Sequence, residues 1–206
     1  MTARRKIDPA TATPAPPRGA FSEVVRAMCL AWLRIGGWKL QGDWPGHDKV
    51  VLLAAPHTSN WDGINMLATA GAYRIKLRWM GKKSLVAGPF GFIVRWLGCV
   101  PIDRSSSNDV VAQMKRAFQR EDRLVLAIPP EGSRSRSPDW KRGYYHIAHG
   151  AAVPIVLSVL DYGARTVTLS GVMETSGDYD ADFAWIRAHY EGAQGKFPER
   201  FAIGSL

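Results

Sequence analysis

Only two cysteines, Cys29 and Cys99, occur in 206 residues, and neither has a metal-ligating or redox partner nearby in the chain. That scarcity excludes a disulfide framework and a CxxC centre, and it fits a reducing compartment. Histidine is also sparse. Of His47, His57, His146, His149 and His189, the pair His146 and His149 lies three apart on a predicted helix, with no further ligand in motif spacing, so no metal is expected. No stretch reaches 18 uninterrupted apolar residues, which argues against a membrane-spanning helix. Acidic residues are outnumbered, 18 against 27 basic ones, leaving a net charge of +9. Such a chain is drawn to polyanions. Zinc-finger spacing, a ribonucleoprotein aromatic signature and a long basic helix are all missing, so nucleic acid is a poor competitor, and charge alone does not choose between an anionic membrane surface and the phosphates of CoA.

The first twenty residues combine Arg4, Arg5 and Lys6 with Pro9, Pro14, Pro16 and Pro17. They cannot build a core and read as a disordered basic arm, distinct from a secretory signal because no apolar stretch with a small-residue cleavage site follows. Residues 21–206 then form one domain, long enough to bury a full core at 46% hydrophobic content. Its opening segment, Phe21 to Trp38, sets Val24, Val25, Met28, Cys29, Leu30, Trp32, Leu33 and Ile35 among Glu23, Arg26 and Arg34. This is an amphipathic helix too charged to span a bilayer, and its apolar side faces either the membrane interface or the protein core.

Beyond it, apolar runs at Val50 to Ala55, Leu77 to Met80, Cys99 to Ile102, Leu124 to Ile128, Val153 to Val159 and Thr166 to Leu169 alternate with helical patterns near Trp61 to Tyr73, Phe90 to Leu97, Asn108 to Arg120, Tyr144 to His149 and Asp180 to Tyr190. Strand and helix in alternation predict an α/β domain with a central mixed sheet flanked by helices. The tail after Tyr190 reads as irregular.

Chemistry gathers at three strand ends. Pro56-His57-Thr58-Ser59-Asn60-Trp61-Asp62-Gly63 places a histidine at the mouth of an apolar strand and a carboxylate five residues on. Residues i and i+5 point about 140° apart on a continuous helix, so the two can meet only across a bend, which Pro56 and a strand-to-helix junction supply. His57 with Asp62 then makes a general base and its orienter. The same residues also fit a capping box, Ser59-x-x-Asp62, in which Asp62 merely closes a helix end. Pro130-Glu131-Gly132-Ser133-Arg134, after the Leu124 to Ile128 strand, reads as an anion site or as a solvated basic loop extended by Lys141 and Arg142. Between the two, Gly98 to Arg104 ends another short strand on an Asp103-Arg104 pair.

Taken together these segments resemble the glycerolipid acyltransferase family, whose members include 1-acyl-glycerol-3-phosphate acyltransferases. Four blocks occur in order: His57 to Asp62 as H-x4-D, Gly98 to Arg104, Glu131-Gly132-Ser133-Arg134 in place of E-G-T-R, and Val153-Pro154-Ile155-Val156. The likeness extends from about Trp38 to Leu169 and is greatest to the short bacterial branch. It implies that His57 deprotonates an acceptor hydroxyl, which attacks the thioester of an acyl-CoA or acyl carrier protein, with Asp62 orienting His57 and no further cofactor. It also implies that Arg104 and Arg134 hold an anionic head group, with Glu131, Gly132 and Ser133 shaping the pocket and Lys82 and Lys83 as additional cations. The implied acceptor is a lysophospholipid such as 1-acyl-glycerol-3-phosphate, on the cytoplasmic face of the inner membrane, with the enzyme peripheral or monotopic. Another lyso-lipid (a lyso-ornithine lipid or a lipid A precursor), thioester hydrolysis, and a non-enzymatic basic membrane-binding module are the alternatives. Ser133 for threonine keeps the hydroxyl, while Pro129 and Leu157 depart from the family's usual residues and bear on the pocket walls.

Overall fold

The computed structural model describes residues 19–102 and 107–204. The expected arm at 1–20 therefore lies almost wholly outside the described residues, as does the Asp103-Arg104 pair. Seven strands form one sheet: β1 Lys39–Gln41, β2 Lys49–Ala55, β3 Leu77–Lys82, β4 Cys99–Ile102, β5 Leu124–Ile128, β6 Ile155–Asp161 and β7 Thr166–Met173. Their order is β1-β7-β6-β2-β5-β3-β4. Strands β2 to β6 run parallel, and β7 turns back antiparallel on β6 with β1 parallel to it. The sheet is thus mixed, as expected, and the parallel part owes its continuous apolar runs to helices covering both faces.

Period-two alternation along the strands explains how the two faces are made. On one face Val51, Leu53, Leu124, Leu126, Ile155 and Leu157 pack with residues of α5 Ser107–Arg120, α6 Gly143–Ala151 and α7 Tyr179–Ala188. On the other, Val50, Leu52, Val125, Ala127 and Val156 pack with Ala70 of α2 Asn60–Ala72 and with Tyr73 just after it. Two short helices, α3 Lys83–Ala87 and α4 Gly91–Trp96, make the crossover from β3 to β4. The sequence pattern missed α3 and β1, whose five and three residues are too few to display a period.

Helix α1, Ala20–Ile35, resolves the choice left open for the amphipathic segment. Leu33 is buried with Ala68 and Ala72 of α2, with Cys29 and Leu30 packed alongside. Arg26 Nε donates to Ala72 O at 2.9 Å, and Glu23 pairs with Arg74. Phe21, Val24, Met28, Trp32 and Ile35 remain exposed, Ile35 at 88%. What looked like one wide apolar face is two, one docked on the domain and one facing outward. Among the described residues no helix is long and apolar enough to cross a membrane.

Because β2 to β6 run parallel, their carboxyl ends share one edge of the sheet. In spatial order along that edge come Tyr162 after β6, Pro56-His57 after β2, Pro129 to Arg134 after β5, and Lys82-Lys83 at the end of β3. Ligands of open α/β sheets bind at this edge.

Candidate active site

Pro56 follows β2 through a cis peptide bond, and Ser59 caps α2 in extended conformation. His57 thus occupies the bend that the i, i+5 spacing demanded. Asp62, in the first turn of α2, is 3% exposed and accepts four hydrogen bonds. Oδ2 takes the N–H groups of Thr58 and Ser59 at 2.6 and 2.7 Å; Oδ1 takes the hydroxyls of Ser59 and Tyr162 at 2.6 and 2.7 Å. Oδ2 also lies 3.6 Å from His57 Nδ1, outside direct hydrogen-bond range yet close enough to stabilise a protonated ring. Asp62 thus closes the capping box and at the same time faces the histidine. With Nδ1 turned to Asp62, Nε2 is left on the far side of a ring whose side chain is 26% exposed.

Burial holds the His57 imidazole below its ordinary pKa; Asp62 opposes that shift and the Arg134 guanidinium adds to it. A ring neutral at working pH is the form that can take a proton. Arg134 is itself exposed, on the loop after β5, and this electrostatic effect is what ties it to the histidine.

Glu131 fastens the two loops together. It is 2% exposed, and Oε1 accepts the His57 N–H at 2.8 Å across 74 residues of chain, while Oε2 is buried with no hydrogen-bond partner among the described residues. Desolvation pushes its carboxyl up to about 7, with the charge of Asp62 adding to the shift. A raised carboxyl pKa means that the folded state binds more protons than the unfolded chain between about 4.5 and 7, so stability falls as pH rises through that window. Glu131→Gln keeps an acceptor for the His57 N–H and removes the titration. Relative to the parent, its melting temperature is expected to gain roughly 5 °C between pH 5 and pH 8. His57, with a lowered pKa, tilts stability the opposite way in both proteins and cancels in the difference. Parallel melting curves for parent and variant across that range would show Glu131 to be ionised in the fold.

Gly132 follows Glu131 on the loop after β5. At φ +66° it adopts a conformation that favours glycine, but the space where a side chain would stand is filled by the Lys141 stem, with Cδ 2.6 Å from that point. Lys141 N–H also donates to Pro130 O at 2.8 Å, folding the basic loop back on itself and bringing Lys141 beside the E-G-S-R turn. Ser133 Oγ donates to Ser135 O at 3.2 Å, within its own loop. Lys82 and Lys83 are exposed at the end of β3, whose register pairs Lys82 with Ile102, the residue just before Asp103 and Arg104.

Two contributors were not singled out in the sequence. Tyr162, at the carboxyl end of β6, reaches Asp62. The irregular tail, with one 3-10 turn at Pro198–Arg200, lies over the histidine loop: Phe197 N–H donates to Thr58 Oγ1 at 3.3 Å, and Lys196 Nζ stands 4.9 Å from the centre of the Trp61 ring. Tyr162, Asn65, Trp32, Trp38 and Trp61 line a cleft of about 350 Å³ between α1 and α2, with Arg165 and Lys196 at its walls. His149, one of the weighed metal ligands, stacks on Tyr145 and bonds Thr175.

The chain is similar in sequence and in fold to known acyltransferases. A 1-acyl-sn-glycerol-3-phosphate acyltransferase of Streptococcus pneumoniae is 33% identical over 136 residues, 65% of this chain but 46% of that protein's length. The crystal structure of the 1-acyl-sn-glycerophosphate (LPA) acyltransferase PlsC from Thermotoga maritima superposes with a TM-score of 0.55 over 81% of this chain and 75% of its own, at 12% identity, a likeness of fold. The acyltransferase family model matches residues 41–159, from the end of β1 through His57, Asp62 and Glu131 to β6. The chain belongs to the acyltransferase family.

Proposed function

We propose that this protein transfers a fatty acyl group from acyl-CoA or acyl carrier protein to the hydroxyl of a lysophospholipid-like acceptor, 1-acyl-glycerol-3-phosphate being the leading candidate. The observation that carries the reading is a partly exposed, neutral-leaning His57 set against buried Asp62 at the carboxyl edge of the parallel strands, with cations on the neighbouring loops. His57 Nε2 removes the acceptor hydroxyl proton, and the oxygen attacks the thioester carbonyl. The tetrahedral intermediate collapses, the C–S bond breaks, and the imidazolium returns its proton to the departing thiolate. Asp62 stabilises the imidazolium while the charge lasts. Arg134, with Arg104, Lys82 and Lys83, binds the acceptor's phosphate, and Arg134 makes the bidentate contact its fork allows. The likeness to the Streptococcus pneumoniae acyltransferase, the family match and the charge of +9 support this assignment.

The test is an acyl-transfer assay with purified protein, a panel of lyso-lipid acceptors including lyso-ornithine lipid and lipid A precursors, and both CoA and carrier-protein donors. Transfer to 1-acyl-glycerol-3-phosphate above the others bears out the leading acceptor. Thioester hydrolysis at the same rate with and without acceptor, or vesicle binding with no turnover, sinks the proposal.

In this reading the enzyme works as a peripheral protein on an anionic membrane at the cytoplasmic face. The exposed row Phe21, Val24, Met28, Trp32 and Ile35 on α1 enters the interface, and Phe90, Phe92 and Trp96 beside α4 form a second exposed aromatic group. Met28→Asp with Ile35→Asp alters residues 68% and 88% exposed, so the fold should be untouched. Partition onto anionic vesicles is expected to fall roughly ten-fold, because two carboxylates oppose both burial and the lipid charge. Sedimentation with vesicles decides it, and unchanged binding by the folded variant would remove α1 from the membrane contact. Leu33, adjacent in sequence, is unsuitable for such a test because it belongs to the core.

A further inference from the structure

The hydrogen bonds that end on Asp62 begin on α1. Trp32 Nε1 donates to Asn65 Oδ1 at 3.2 Å, Asn65 Nδ2 donates to the Tyr162 hydroxyl at 3.4 Å, and that hydroxyl donates to Asp62 Oδ1 at 2.7 Å. We propose that Tyr162, braced by Asn65, is a positioning residue for the acyl transfer: its hydroxyl locks the Asp62 carboxylate so that Oδ2 stays turned to His57 Nδ1. The inference rests on the assignment of His57 and Asp62 above.

Three of the four hydrogen bonds to Asp62 come from Thr58 and Ser59, inside the same 57–62 segment as the histidine. These donors move with the segment and cannot fix it against the sheet. Tyr162 is 100 residues away in sequence, and it follows β6, which pairs directly with β2. Its own placement is secured separately. The ring meets Trp38 edge-on with centroids 4.8 Å apart, and its backbone N–H donates to Gln194 O at 2.8 Å. A rigid donor on the strand beside the histidine's strand, aimed at the carboxylate oxygen remote from the ring, sets the carboxylate's rotation. Productive catalytic geometry tolerates little displacement, and an ångström of drift can cost about a hundred-fold.

Among the described residues, the charged or titratable groups facing the pair are Glu131 and Arg134 from the loop after β5 and Tyr162 after β6. Tyr162→Phe changes one of these and preserves the ring against Trp38. If the hydroxyl positions Asp62, its loss lets the carboxylate turn from His57 and weakens the attraction that favours imidazolium. The His57 titration midpoint, followed by NMR of the imidazole in the full chain, should then fall by about half a unit. The kcat for acyl transfer should fall about 10- to 100-fold with the acceptor KM changed by no more than about twofold. A merely structural tyrosine would lower the melting temperature and leave the midpoint where it was. A midpoint that stays or rises overturns the proposal. Should the Phe variant fail to fold, Asn65→Leu removes the brace and is read the same way, a smaller fall supporting the proposal and no fall overturning it. The titration needs no turnover, so a parent protein without transferase activity would defeat the functional assignment while the positioning claim is still decided.

Discussion

Replacing His57 by alanine is expected to abolish nearly all acyl transfer, a loss of about 10²- to 10⁴-fold in kcat, at almost no cost in stability. The chemical half of this expectation follows from the ring being a proton acceptor set against the buried Asp62 carboxylate. The structural half follows from its packing. The hydrogen bond by which His57 holds the two site loops together comes from its backbone N–H to Glu131, and alanine keeps it. The side chain is partly exposed and meets Asp62 at 3.6 Å, beyond hydrogen-bond length, so removing it leaves no buried donor stranded. Steady-state transfer alongside thermal unfolding separates the two. Turnover within a few-fold of the parent would sink the general-base mechanism.

Asp62→Asn is expected to cost about 10²-fold or more in kcat and, unlike the histidine variant, to lower stability by roughly 1 to 3 kcal/mol. Both effects come from one buried carboxylate with four donors around it. The amide has a single acceptor oxygen, which the two fixed backbone N–H groups of Thr58 and Ser59 claim. Its NH2 is left against the hydroxyls of Ser59 and Tyr162, which must rotate to accept, and every remaining bond loses its charge assistance. The neutral side chain also ceases to stabilise imidazolium. Chemical denaturation and transfer kinetics on the same preparation check both halves. Lower stability with normal turnover would reduce Asp62 to a helix cap; unchanged stability would contradict the hydrogen bonds drawn here.

The strands between residues 50 and 159 and the long helices were legible because their apolar residues recur with a clear period over several positions, and side-chain direction follows period alone. Amphipathic α1 was legible as a helix, but its partners were not. A periodic row of apolar residues states that a face is buried without stating against what, and α1 turned out to have two such faces, Leu33 inward and Ile35 outward. His57 and Asp62 could be paired from sequence because five residues and a proline are a local constraint. The same locality let the capping box be read beside them.

What lies across the sheet edge obeyed no local rule. That Glu131 holds the His57 backbone, that Tyr162 reaches Asp62 and that the tail crosses Thr58 depend on β5 and β6 being the neighbours of β2. Strand order is settled by the packing of helices on two faces, a property of the whole chain. The unusual proton affinity of Glu131 is likewise a matter of burial, which no residue carries in its own identity. By itself the sequence determined which side chains are candidates for the chemistry and that they stand at strand ends, because composition and period are local. Only the tertiary structure decided which of them meet and in what state of charge, because distance and desolvation are created when remote segments pack together.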